Sequence, residues 1–119
     1  MRRSPDKILL GCLALVLSWL MVAVPVSAET MPKPDTAIAA QLFETNCIGC
    51  HAGGGNIVRR RRNLKQRALQ RNGVDSVDAI ANLVTHGKGL MSAYGDRLTP
   101  DEINVLAEYV WQRSLDDWQ

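Results

Sequence analysis

The chain has 119 residues, of which 46% are hydrophobic and 22% charged, and its formal net charge at pH 7 is +2. This length accommodates one small domain, and the apolar content excludes an intrinsically disordered chain. Three cysteines leave one without a partner in any pairing within the chain. These averages combine two segments of different character.

Residues 1–28 have the pattern of a secretory signal peptide. A basic start, an apolar stretch, a proline and a small-residue cleavage sequence follow one another: Arg2, Arg3, Lys7, residues 8–24, Pro25 and Val26-Ser27-Ala28. A transmembrane anchor is the alternative, because the apolar stretch approaches the length of a membrane span. The cleavage sequence favours a signal peptide, so residues 29–119 are predicted to be an exported domain without a stable membrane anchor.

Removal of the signal peptide changes both the charge and the cysteine count. The remaining chain has eleven basic and eleven acidic residues, and Cys12 is lost with the signal. A domain of this size buries a limited fraction of its surface. In an oxidising compartment such a domain commonly depends on a disulfide, a metal or a cofactor.

The two cysteines that remain, Cys47 and Cys50, are followed by His51 in a C-x-x-C-H sequence, the signature of c-type haem attachment. Two thiols three residues apart on a helical turn can form thioethers to neighbouring vinyl groups on one porphyrin edge, and the adjacent histidine then faces the iron. A thioredoxin-like redox pair would need a surrounding βαβ pattern, which the sequence lacks. A structural zinc site would need two further ligands, and only His86 remains. One motif predicts one covalent haem c.

The sixth ligand of the haem iron has three candidates. Met31 lies in a proline-rich leader, too near the mature terminus to be held rigidly. Met91 follows Gly87 and Gly89, which let the backbone approach a flat cofactor or adopt positive φ. This setting favours Met91 as an iron ligand over a methionine that fills the core. His86, at the end of a helical segment, would give bis-histidine ligation instead.

Apolar residues at helical spacing indicate four short helices. They cover residues 34–50, 64–70 and 76–85, and a last segment that begins at the capping sequence starting with Thr99. No segment alternates between apolar and polar residues with period two. The fold is therefore predicted to be all-α, with about four short helices around one haem.

The run of Arg59, Arg60, Arg61 and Arg62 is the most unusual feature of the sequence. It belongs to a group of seven cations within thirteen residues that contains no acidic residue: Arg59–Arg62, Lys65, Arg67 and Arg71. A charge run is typical of a solvated face. The sharper interpretation is a docking patch that steers a redox partner with an acidic surface.

Residues 47–58 resemble the haem-attachment region of the cytochrome c6 family, the small soluble cytochromes of cyanobacterial and algal thylakoid lumens. Residues 38–43, 63–69, 87–91 and 98–111 resemble the family's helices and ligand loop. The C-x-x-C-H motif alone is common to all class I c-type cytochromes. The Gly-Gly-x-Asn sequence after it and the Gly-Lys-Gly-x-Met loop are much more specific to the cytochrome c6 family.

The resemblance implies a class I cytochrome c fold, with Cys47 and Cys50 bonded to the haem and with His51 and Met91 as axial iron ligands. It implies a monomeric one-electron carrier, not an enzyme, in the thylakoid lumen or periplasm. The donor would be a cytochrome f-like protein of a cytochrome b6f-type complex, and the acceptor photosystem I or a terminal oxidase. An exported haem protein is not expected to bind nucleic acid.

Two positions depart from the family pattern. Ser92 follows the ligand methionine, where the family usually has proline, and this loosens a restraint on the loop. Leu83 occupies a position that is typically glutamine in photosynthetic members, with its amide near the haem. Low-potential groups of the family carry an apolar residue there. The resemblance therefore points to a low-potential c6-like paralogue in which Leu83 tunes the potential.

A second class of function stays open from the residues alone. A domain with one haem can act as a redox or ligand sensor if its sixth ligand is labile. Rapid binding of carbon monoxide to the reduced iron would indicate such a sensor, because the gas needs an open or labile position at Met91.

Overall fold

The computed structural model describes residues 34–119, which form five α-helices joined by loops and 3₁₀ turns. The helices are α1 (Pro34–Asn46), α2 (Ile48–His51), α3 (Gln66–Arg71), α4 (Val77–His86) and α5 (Pro100–Leu115), and the 3₁₀ turns are Ala52–Gly54 and Arg60–Arg62. Within these residues the β-type pairing consists of one isolated bridge, between Lys88 and Met91. The predicted all-α fold is confirmed.

The four predicted helices are present, and the one difference in their number lies at Cys47. The segment predicted as a single helix over residues 34–50 is divided there into α1 and the one-turn helix α2. The Cys47 N–H still donates to Phe43 O at 2.8 Å, and the N–H groups of Cys50 and His51 both donate to the Cys47 carbonyl. The Asn46 side chain donates from Nδ2 to the Leu42 carbonyl at 2.9 Å. Helix α1 ends at Asn46, immediately before the first cysteine.

Two features of the sequence lie outside the described residues. They are the predicted signal peptide, with its Cys12, and the ligand candidate Met31. Within residues 34–119, no helix combines the length and the apolar character needed to cross a membrane.

Helices α4 and α5 begin at side-chain caps. Ser76 Oγ accepts the backbone N–H of Ala79 at 3.1 Å. At α5, Thr99 Oγ1 accepts the N–H of Glu102 at 3.2 Å, and Glu102 Oε2 accepts the N–H of Thr99 at 2.8 Å. Pro100 then occupies the first helical position. Such caps each contribute about 1 kcal/mol to stability, and they fix where α4 and α5 begin.

The core forms where α1 and α4 pack against α5. Half of the residues in the core cluster come from α5, at the predicted helical spacing. The core residues, each at most 6% exposed, are Phe43, Leu69, Ile80, Val84, Ile103, Leu106, Ala107 and Val110. Beyond α5 the backbone reverses at Asp117 and Trp118 and returns to this core.

Candidate haem site

A cavity of about 400 Å³ is lined by residues from all five helices and from the loops between them. This volume lies in the range of small-molecule and cofactor pockets. The residues assigned to the haem all line it: Cys47, Cys50, His51, Leu83 and Met91. The alternative ligand His86 is exposed and does not line it. The fold therefore brings together residues that are far apart in the chain.

The two cysteines lie at the start and in the middle of α2, Cys47 half-buried and Cys50 exposed. Burial raises the pKa of the Cys47 thiol to about 11, whereas the reactive cysteine of a redox pair has a lowered pKa. The thioredoxin-like alternative therefore lacks its electrostatic basis. The zinc alternative lacks ligands, because no three His, Cys, Asp or Glu side chains converge within residues 34–119.

The half-buried ring of His51 is held by the turn that follows it. Its Nδ1 lies 2.8 Å from the carbonyl oxygen of Gly55. Because a carbonyl oxygen can only accept a hydrogen bond, Nδ1 carries a proton, and in the neutral ring the lone pair is then on Nε2. This is the tautomer that a metal-ligating histidine needs, with its second nitrogen bonded to a backbone carbonyl.

The loop that carries Met91 folds tightly onto the end of α4. Lys88 N–H donates to Met91 O at 3.0 Å, and Met91 N–H donates to Lys88 O at 3.2 Å. Gly87, with φ +69°, lies under this turn, and a Cβ there would lie only 2.5 Å from Met91 O and 2.7 Å from the backbone nitrogen of Ala93. Position 87 therefore accepts only glycine, and the half-buried Met91 side chain is held in the cavity lining.

Tyr94 connects the two halves of the site. Its hydroxyl donates to the carbonyl of Asn46 at 2.8 Å, and its backbone N–H donates to Val84 O at 2.9 Å. The Arg97 guanidinium carbon lies 4.1 Å from the centre of the Tyr94 ring, a favourable cation–π distance. The segment after Met91 is thereby tied to the end of α1, one residue before Cys47.

The Asn56 side chain forms hydrogen bonds with both ends of the turn that contains Arg59–Arg62. Its Oδ1 accepts the N–H groups of Val58 at 3.0 Å and of Arg59 at 2.7 Å. Its Nδ2 donates to the carbonyl of Arg62 at 2.9 Å. The sequence marked Asn56 only as part of a narrow family pattern, and the structure shows that this residue fixes the backbone of the turn.

The structure divides the arginine run into two pairs. All four side chains are exposed, but Arg59 and Arg62 also line the cavity, whereas Arg60 and Arg61 do not. Arg59, Arg62 and Lys88 are the three cationic side chains of the cavity lining, and among the described residues the lining has no acidic one. The cations complement a cofactor such as haem that carries carboxylates.

The arginines have no carboxylate partners in the described part of the chain. The only side-chain ion pair of residues 34–119 joins Lys65 Nζ and Asp117 Oδ2 at 3.4 Å. The positive charge of the arginine run is therefore not neutralised by residues 34–119.

Comparisons with known proteins identify the family of the chain. The protein-family model described as cytochrome C oxidase, cbb3-type, subunit III matches residues 34–110. A cytochrome c6-like protein of Nostoc sp. (strain PCC 7120) is 38% identical over 107 residues, which are 90% of this chain and 96% of that protein. Cytochrome c6 of Aphanizomenon flos-aquae is 45% identical over 85 residues, which are 71% of this chain and 98% of that protein.

Two solved structures extend the comparison to the fold. Cytochrome c6C from Synechococcus sp. PCC 7002 is 60% identical with a TM-score of 0.66, and the match covers 68% of this chain and 99% of that one. Oxidised cytochrome c6A from Arabidopsis thaliana is 34% identical with a TM-score of 0.68, covering 73% and 97%. They confirm the predicted class I cytochrome c fold. The chain therefore belongs to the cytochrome c6 family, as a c6-like paralogue that carries covalent haem c and acts in electron transfer.

Proposed function

We propose that Cys47 and Cys50 bind the haem covalently and that His51 and Met91 are its axial ligands. The observation that carries this proposal is the hydrogen bond from His51 Nδ1 to Gly55 O, which selects the neutral tautomer whose Nε2 lone pair can bind a metal. The glycine turn that holds Met91 in the same cavity lining supports the sixth ligand. The bound haem supplies an iron centre that gains and loses one electron.

The protein's own contribution is to hold the haem, exclude water and set the potential. Apolar residues of four helices line the cavity, among them Phe43, Leu69, Val84 and Leu106. A low-polarity lining of this kind controls solvent access and hence the redox potential. No side chain forms or breaks a bond when an electron passes, so the chain acts as a carrier and not as an enzyme.

The setting follows from the signal peptide and the family. Cleavage after residue 28 releases residues 29–119 into the thylakoid lumen or periplasm as a monomer. There the protein accepts electrons from a cytochrome b6f-type donor and passes them to photosystem I or a terminal oxidase. Support comes from the cyanobacterial cytochrome c6 proteins that it resembles.

A haem-based sensor with a labile sixth ligand is the competing function, and one observation favours it. Ser92 follows Met91 where proline would restrain the loop, and it is exposed. Carbon monoxide added to the reduced holoprotein distinguishes the two functions. The carrier predicts little or slow binding because Met91 stays on the iron. Rapid, complete binding would establish a labile ligand and support the sensor.

Leu83→Gln is expected to raise the redox potential. Leu83 is half-buried and lines the cavity, so its replacement brings an amide next to the haem. An N–H donor near the ligand sulfur withdraws electron density from the iron and favours the reduced state. The measurement is a potentiometric titration of both proteins, with Leu83→Met as the apolar control. An unchanged or lower potential in Leu83→Gln would show that Leu83 does not lower the redox potential.

Reversing two charges of the arginine run is expected to remove most of the salt dependence of electron transfer. Arg60 and Arg61 are exposed and lie outside the cavity lining, so Arg60→Glu with Arg61→Glu leaves the haem site intact. Electrostatic steering changes association rates by about 10- to 1,000-fold, and we expect at least about tenfold slower transfer to a negatively charged redox protein at low salt.

The control for this experiment keeps the charge and changes the side chain. Arg60→Lys with Arg61→Lys should retain a second-order rate that falls as ionic strength rises. If the charge-reversed protein shows the wild-type rate and salt dependence, the arginine run is a solvated face and not a docking patch.

A further inference from the structure

The side chain of Trp118, the second-last residue, lies directly on the backbone of Gly54. Gly54 is buried and has φ +70°, and a Cβ at this position would overlap the indole ring at its Cγ, Cδ1 and Cδ2 atoms. The contact is therefore between an aromatic face and bare peptide backbone, and no residue larger than glycine permits it. Gly54 belongs to the 3₁₀ turn that begins immediately after His51.

The backbone of Leu64 provides a second connection between Trp118 and Gly54, through two hydrogen bonds. The indole Nε1–H of Trp118 donates to the carbonyl of Leu64 at 2.9 Å. The N–H of Leu64 donates to the carbonyl of Gly54 at 2.8 Å. Both backbone groups of Leu64 are thus used to connect the C-terminal tryptophan with the turn after the haem-binding motif.

Trp118 itself is held firmly. Its ring centre lies 5.0 Å from that of Phe43 and 6.1 Å from that of Tyr109, distances typical of favourable aromatic pairs. The Arg113 guanidinium lies 5.5 Å from the ring and also donates to the backbone carbonyl of Gln119 at 2.7 Å. A short tail anchored on both sides of the indole can act as a fixed support.

The backbone of the tail is strained, and this strain needs a compensating contact. Asp117 and Trp118 have φ +53° and +66°, a conformation that non-glycine residues rarely adopt. Such residues are energetically costly and persist where surrounding contacts determine them. The exposed ion pair from Lys65 to Asp117 contributes little. Backbone hydrogen bonds close this reversal, among them Trp118 N–H to Arg113 O at 2.9 Å. The packing and the hydrogen bond of the Trp118 indole fix the closed tail against the rest of the domain.

The turn beneath Trp118 ends at the carbonyl that orients His51. Gly55 O accepts the Nδ1–H of His51 at 2.8 Å, and Gly55 directly follows Gly54. Residues 53–55 are three successive glycines, which have the widest conformational freedom of any residues. Within the turn the Gly55 N–H donates to Ala52 O at 2.9 Å and the Ile57 N–H donates to Cys50 O at 3.1 Å. The contacts of Gly54 with Trp118 and Leu64 add tertiary restraints that hold this turn, and with it the Gly55 carbonyl, in place.

We propose that Trp118 is a positioning residue for His51. It immobilises the glycine turn, and through Gly55 O it sets the orientation and the electron donation of the imidazole. This inference rests on the proposed role of His51 as an iron ligand. Partners that hydrogen-bond a metal-ligating histidine raise its basicity, and their loss typically costs 10- to 100-fold in metal affinity or activity.

The test compares two tryptophans of the same core in the holoprotein. Trp118 and Trp111 both pack against the core cluster as partly buried side chains. We expect Trp118→Ala to increase the hydrogen exchange rate of the His51 Nδ1–H, followed by NMR, at least about tenfold. The redox potential should rise, because a less basic imidazole donates less electron density to the iron. Trp111→Ala should leave both quantities close to wild type.

Trp118→Phe provides a milder variant for the case in which Trp118→Ala does not fold. It keeps an aromatic ring on Gly54 but loses the Nε1–H bond to Leu64, so an intermediate exchange rate is expected. Unchanged exchange in the Trp118 variants, an equal increase in Trp111→Ala, or a fall in potential would overturn the inference. A His51 ring without the paramagnetic shifts of an iron ligand in the oxidised wild type would instead contradict the proposed function itself.

A pair of glycine variants tests the same connection from the other side. Gly53 and Gly54 both have positive φ, but nothing lies within 4 Å of a Cβ at Gly53, whereas a Cβ at Gly54 would meet the indole. Both alanine variants strain the backbone, and only Gly54→Ala displaces Trp118. Faster exchange of the His51 proton in Gly54→Ala than in Gly53→Ala supports the inference, and equal rates contradict it.

Discussion

Met91→Ala is expected to turn a protein that binds carbon monoxide slowly into one that binds it rapidly and completely. Alanine has no donor atom, so the sixth iron position that we assign to Met91 opens to solvent and to small ligands. The oxidised protein should also lose the absorption that arises from sulfur-to-iron charge transfer. Both effects are read from optical spectra of the oxidised and reduced holoprotein.

The neighbouring residue supplies the control for this variant. Leu90 belongs to the same loop, lines the same cavity and is 78% exposed, and it has no sulfur. Leu90→Ala should keep the wild-type spectrum and the slow reaction with carbon monoxide. If Met91→Ala retains the sulfur band, another residue is the sixth ligand; if both variants bind the gas alike, the loop and not the Met91 sulfur controls access.

Gly87→Ala is expected to have the second-largest effect, on stability and ligation together. Alanine at φ +69° carries backbone strain of about 1–3 kcal/mol. In addition, its Cβ would meet three atoms of the Met91–Ala93 backbone within 2.8 Å, and the main chain cannot rotate away as a side chain can. The ligand loop must therefore move off the end of α4, which weakens the hold on Met91.

The Gly89→Ala variant separates the effect of backbone strain from the effect of a steric clash in the same loop. Gly89 also has positive φ, at +62°, but nothing lies within 4 Å of a Cβ there. Denaturant unfolding of the holoproteins should show a larger loss of stability for Gly87→Ala than for Gly89→Ala. Only Gly87→Ala should weaken the sulfur band. Equal losses in the two variants would mean that the close approach of the loop to Gly87 is unimportant.

Much of the fold could be predicted because its signals are local. The capping residues Ser76, Thr99 and Glu102 stand next to the helices that they begin, and the apolar spacing of α5 is complete within the helix itself. The haem motif is also local, since its three reactive residues span five positions. The sequence therefore located Cys47 and His51 without any knowledge of tertiary contacts.

The contacts that shape the site depend on tertiary structure and were not evident in the sequence. Trp118 follows two aspartates at the end of a helical pattern, so nothing local indicates that the chain reverses there through residues with positive φ. The break at Cys47 between α1 and α2 has no marker in the sequence such as a proline or a glycine. Gly87 and Gly89 suggested that the backbone of the loop approaches another group closely. Only the tertiary structure shows that the atoms closest to Gly87 belong to the backbone of Met91–Ala93.

The placement of the four arginine side chains was also not evident in the sequence. As a sequence the arginine run is four identical charges, a pattern that is typical of a solvated face and also compatible with a docking patch. The 3₁₀ turn closed by Asn56 separates Arg59 and Arg62, which line the cavity, from Arg60 and Arg61, which do not. This separation makes it possible to change the outward pair without touching the haem site.

A spectroelectrochemical titration of the wild-type holoprotein tests the central claim most directly, namely that the chain is a one-electron carrier with His51 and Met91 on the iron. We predict a single reversible one-electron transition, with the sulfur band present in the oxidised state and a potential below that of ordinary photosystem I donors. An oxidised spectrum without that band, or a change of ligand coupled to reduction, would contradict the account.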